Sequence, residues 1–113
     1  MKKILFVELL GGVGDLVIAL PAIHALALSH PQARLTVMTF EPGAELLEAD
    51  PFIHRIHRAH RGHPTHPQRP RDELQALLAS EQFDLIVADT TYAGIDELLQ
   101  GLGTRVVSNL WRR

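Results

Sequence analysis

The chain has no cysteine in its 113 residues. That excludes a disulfide framework and any thiolate metal site. Aromatics are scarce, at 5%, with one Trp and one Tyr. No apolar run is long enough to cross a bilayer: the longest, Leu16 to Leu28, is 13 residues and holds Pro21 and His24. The opening Met-Lys-Lys precedes an apolar stretch, but Glu8, the glycines and Asp15 interrupt it, so it does not read as a signal peptide. A soluble protein is expected. Acid is missing from one segment: residues 54–71, "HRIHRAHRGHPTHPQRPR", carry five Arg and no Asp or Glu. The rest holds six basic and thirteen acidic side chains, so an acidic body carries one basic segment. Nothing in the chain reads as a nucleic-acid-binding pattern.

What is present is ordinary for one small domain. Hydrophobic content is 46% and charged content 21%. The length suits a single core. Ile4–Leu10 reads as a strand apolar on both faces except at Glu8, as a central parallel strand requires. Gly11, Gly12 and Gly14 make a turn, and Leu16–Ser29 reads as a helix with Asp15 as its N-cap. That helix is apolar nearly all round, which predicts burial on every side. Strands are expected at 34–40, 52–57, 83–89 and 105–108. Helices are expected at 42–49, 71–81 and 95–102, with a loop over 58–70. Alternating strands and helices predict a three-layer Rossmann-like α/β sandwich with a parallel sheet of about five strands over residues 1–113.

Ligands of an open parallel sheet collect beyond the carboxyl ends of its strands. The loop 11–15 and the segment 89–92 share that edge, which makes Gly11, Gly12, Gly14, Thr90 and Thr91 candidate binding residues and Asp15 the candidate reactive group. A dinucleotide fingerprint is one reading. Gly12 and Gly14 would be its first two glycines and Glu41 its ribose-binding acid. The third glycine position holds Val17, and Asp15 would repel a pyrophosphate at the helix start. No Walker pattern is present. A second reading of Asp15 is a helix cap, the usual task of an Asp placed there.

The stretch "ILFVELLGGVGDLVIALPAIHALALSHPQARLTVMT" resembles the start of glycosyltransferase family 9, the lipopolysaccharide heptosyltransferase family. The resemblance rests on Gly-Gly-x-Gly-Asp after a strand, Leu-Pro-Ala in the following helix and Pro-x-Ala before the second strand. It extends more loosely through "DPFIHRI" and "FDLIVAD". It implies one half of a GT-B fold, the N-terminal half that receives a glycolipid or sugar acceptor. The donor, ADP-heptose-like, would bind a C-terminal half absent from this chain. It further implies Asp15 as catalytic base in a direct, inverting displacement that needs no metal or other cofactor. A cytoplasmic location at the inner membrane face follows from such an acceptor. Glu8 departs from the family pattern, in which that position is often basic.

His54, His57, His60, His63 and His66 recur at every third residue. A polyproline-like stretch would align them on one side. A solvated loop is the expected reading and a metal array the alternative. The intervening Arg55, Arg58 and Arg61 make the segment a candidate contact for phospholipid headgroups or an anionic acceptor.

Overall fold

A computed structural model describes residues 2–10, 12–90 and 95–108. Five parallel strands form one sheet, β1 (Lys3–Leu9), β2 (Arg34–Phe40), β3 (Arg55–Ala59), β4 (Leu85–Thr90) and β5 (Arg105–Ser108), in the order β3-β2-β1-β4-β5. Four helices connect them: α1 (Val13–Ser29), α2 (Gly43–Leu46), α3 (Arg69–Ser80) and α4 (Ile95–Gln100). The expected three-layer α/β sandwich is present.

The alternation of a pleated strand sorts the core. Ile4 and Phe6 of β1 pack with Leu35 and Val37 of β2 under Leu16, Ala19 and Ile23 of α1. Leu5, Val7 and Leu9 face the other way, with Met38, Phe40, Ile86 and Ala88, against Leu74 and Leu77 of α3 and Ile95 and Leu99 of α4. Thus α1 and α2 cover one face, and α3 and α4 the other. The chain winds outward from β1 to β3, then crosses the sheet and winds outward from β4 to β5. The order reverses between β1 and β4, which are paired from Ile4↔Leu85 to Leu9↔Thr90. α2 closes on α1 at Gly43, where an added Cβ would stand 3.0 Å from Leu16 Cδ2.

Several expected boundaries move. α1 starts at Val13, so Gly12 is its N-cap and Asp15 its third residue. Only Leu16, Ala19 and Ile23 of this helix are buried. Ile18 is 80% exposed, Leu28 65% and Val17 50%. The all-round burial expected from composition fails because a helix in an outer layer has the sheet on one side only. The second helix shrinks to one turn. β3 is displaced to Arg55–Ala59, where Thr36↔Arg55 through Phe40↔Ala59 give it a full ladder. α3 starts two residues early, because Pro70 fits a first helical turn.

Candidate functional site

The reversal of strand order between β1 and β4 opens the sheet at its carboxyl edge, where doubly wound folds bind ligands. Glu8 lies there, one residue from the end of β1, paired in register with Thr39 of β2 and Asp89 of β4. By alternation Glu8, Thr39 and Asp89 share the α1 face. Glu8 is 2% exposed. Its Oε1 accepts a hydrogen bond from the Thr39 hydroxyl at 2.8 Å, and its Oε2 accepts the Leu10 N–H at 3.2 Å. Burial pushes its carboxyl above the usual range; the Thr39 and Leu10 bonds pull it down, and Asp15 and Asp89 push it up again. Glu8 therefore ties the chain entering the glycine turn to the end of β2.

Asp15 stands over this edge in the first turn of α1. Its Oδ2 accepts the Gly12 N–H at 3.1 Å. This is the carboxylate half of a capping box; Gly12 has no side chain to return the bond. The expected N-cap role thus passes to Gly12, whose φ of −127° and ψ of 161° are extended. The N3 carboxylate still satisfies one of the free donors at the helix start and complements its dipole. Gly14 is exposed with nothing within 4 Å of an added Cβ, so space remains open beside Asp15.

Thr90 is fully buried and its hydroxyl donates to the Leu9 carbonyl at 3.2 Å, closing the β1–β4 pair on the α3/α4 face. Gly11 and Thr91, also expected in the site, lie outside the described residues. The structure thus brings Gly12, Gly14 and Asp15 together, and adds Glu8 and Thr39 beneath them. Sequence reasoning marked Glu8 only as a departure and missed Thr39. The available signal was a carboxylate inside an otherwise apolar central strand, which must find a donor when buried.

The case against a dinucleotide changes in part. Val17 projects to the exposed side of α1, so its bulk does not stand between helix and sheet. The charge objection remains, and Asp15 already occupies the Gly12 N–H that a pyrophosphate would need. Glu41 is engaged with Arg58 at 2.7 Å.

The histidines do not form a ladder. His57 sits half-buried on β3, where burial lowers its pKa; Arg55 and His60 lower it further, and Glu73 opposes them. His60 contacts Glu73 at 2.8 Å, and His66 lies 3.3 Å from Asp72. The loop folds back through a bridge between His63 and His66. Gly62 permits this closure, because an added Cβ would lie 2.7 Å from the Pro67 carbonyl oxygen. No group of three or more His, Cys, Asp or Glu suited to a metal occurs among the described residues. The acids missing from the segment come from elsewhere: Arg55 pairs with Glu81 at 2.6 Å, Arg58 with Glu41 and Glu48, and Arg69 with Glu73. Arg61 instead lies over the Phe40 ring, 4.6 Å from its centroid, and donates to the Glu41 carbonyl. No helix among the described residues is long and apolar enough to cross a membrane.

No protein-family model and no curated protein matches the chain. Among solved structures it is similar to the crystal structure of the glycosyl transferase family 9 from Veillonella parvula DSM 2008, with a TM-score of 0.75 and 16% identity. The likeness covers 99% of this chain and 33% of that one, so the chain spans about a third of that protein's length. What the two share is architecture: this chain carries a Rossmann-like α/β fold of the kind found in a family 9 glycosyltransferase.

Proposed function

We propose that the chain is the acceptor-side half of an inverting, heptosyltransferase-like glycosyltransferase that acts in lipopolysaccharide or related cell-envelope glycan synthesis. The observation that supports this reading is the placement of Asp15 at the strand-order reversal of a glycosyltransferase-like fold, above open space at Gly14. In this reading Gly12 and Gly14 let a sugar approach the backbone. Asp15 takes the proton of an acceptor hydroxyl. The freed oxygen bonds to the anomeric carbon of the donor sugar as the carbon–oxygen bond to the nucleotide diphosphate breaks. Direct attack inverts the anomeric centre. The donor site belongs to a second half that these 113 residues do not include, so the chain alone transfers no sugar. A glycolipid acceptor places the enzyme at the cytoplasmic face of the inner membrane.

A second reading is a non-catalytic sugar-binding module. The Asp15–Gly12 bond favours it, since a capping carboxylate needs no chemistry to explain it. Asp15→Asn in an enzyme containing both halves separates the two readings. As a base, Asp15 is worth about 10²–10⁴-fold in turnover, with acceptor binding kept. Unchanged turnover in the Asn variant, or heptose transfer to lipid A acceptor by the isolated chain, would overturn the proposal.

A further inference from the structure

The basic segment singled out in the sequence is largely neutralised by acids from the rest of the chain. Lys2, Arg34 and Arg105, by contrast, have no carboxylate partner among the described residues. All three stand at the amino edge of the sheet, opposite Asp15, at or beside the starts of β1, β2 and β5. Two cavities open there and meet at His30. The smaller, about 190 Å³, is lined by Lys2, His30, Asp84 and Arg105 over a floor of Ile4 and Leu85. The larger, about 360 Å³, runs from His30 and Arg34 along Leu28, Pro51 and Phe52 to His54.

The smaller cavity sets two basic side chains against one carboxylate, and that carboxylate is in use: Asp84 Oδ2 accepts the Lys3 N–H at 2.8 Å. The cations are not needed to cap α1 either. Its last carbonyls are served by His30, whose N–H donates to Leu26 and Ala27 and whose Nδ1 contacts the Leu26 oxygen at 3.0 Å. One water occupies about 30 Å³ of liquid, so the smaller cavity has room for a phosphate group. Lysine and arginine are the usual partners of that group. The larger cavity offers an apolar wall with one aromatic ring and no acid in its lining.

We propose that this pair of cavities is a binding site for a soluble phosphate monoester with an apolar or aromatic body. The phosphate sits between Lys2 and Arg105 beside His30, and the body lies against Phe52, Pro51 and Leu28. The site is independent of the sugar-transfer reading and lies at the other edge of the sheet.

The test is an amide chemical-shift titration of the 113-residue chain at constant ionic strength. The probes are phenyl phosphate, inorganic phosphate, phenol and phosphatidylglycerol vesicles. Phenyl phosphate should give saturable millimolar shifts at Lys2, His30, Arg105 and Phe52. Inorganic phosphate should reach only the first three, more weakly, and phenol should not saturate. The double variant Lys2→Gln, Arg105→Gln should weaken phenyl phosphate about tenfold or more. Both residues are exposed, so the fold should survive. Glu45→Gln, exposed on α2 and outside the lining of both cavities, should change nothing. Shifts that fail to saturate, that centre on residues 55–71, or that ignore the double variant would overturn the proposal. Vesicle binding without a phenyl phosphate response would do the same.

Discussion

Thr39 donates its hydroxyl hydrogen to Oε1 of Glu8 at 2.8 Å, across two parallel strands and out of contact with solvent. With the Leu10 N–H on the other oxygen, both oxygens of a buried carboxyl are satisfied. This arrangement costs more to break than to avoid, because removing one side strands the other.

Thr39→Val keeps the shape and deletes one donor to a carboxyl group. It should cost about 1–3 kcal/mol in urea unfolding. Glu8→Ala strands both donors and leaves a void, and should cost at least as much. If Glu8→Ala is neutral, the pairing contributes nothing to stability.

Acid titration of stability should separate Glu8 from Asp50. Burial raises the Glu8 pKa above 4.5 in the folded state, so folding favours its protonated form. Its contribution is fully present below pH 4.5 and is lost as pH rises through the raised folded value. Wild type should therefore lose stability relative to Glu8→Gln across that window.

Asp50 behaves in the opposite sense. Burial works against its charge, but the bonds from His24 at 2.6 Å and the Phe52 N–H at 2.9 Å outweigh it and lower its pKa below 3.8. Its contribution is present above pH 3.8 and lost as pH falls through the lower folded value. The gap between wild type and Asp50→Asn should close on acidification, and a constant gap would refute the assignment.

Asp15→Asn keeps an oxygen for the Gly12 N–H and should change stability little. Asp15→Ala should lose about 0.5–1 kcal/mol by thermal unfolding, as a terminal helix contact does. Wild type should show no submillimolar NAD binding in calorimetry, because Asp15 brings negative charge to the helix start and already holds the Gly12 N–H.

Gly62→Ala places a methyl group against the Pro67 carbonyl oxygen, a backbone atom that cannot rotate away. The 60–68 loop should open, and the His63 and His66 amides, which now bond each other's carbonyls, should lose exchange protection. Amides of β1 should keep theirs.

The fold was legible because strong local signals agreed. "ILFVEL" and "LIVAD" could only be central strands, and glycine, proline and the acid-free segment marked the connections. Two kinds of information were not local. The buried face of α1 depended on which layer it joined, so Ile18 looked like core and is exposed. The side-chain partners of Glu8, His60 and Arg58 lie between 10 and 31 positions away, and spacing within a segment cannot reveal them. The same limit made five evenly spaced histidines look like a ladder.

The central position of β1 also bears on how the molecule is made. It leaves the ribosome before the other strands of this sheet, yet one of its two flanks is completed only by β4, with Asp84 closing on Lys3 across 81 residues. At usual synthesis rates that interval lasts roughly 4–16 s. Throughout it, the most apolar strand of the sheet has an unpaired side, and any nascent chain shorter than about this span presents that side to chaperones rather than to its own partner.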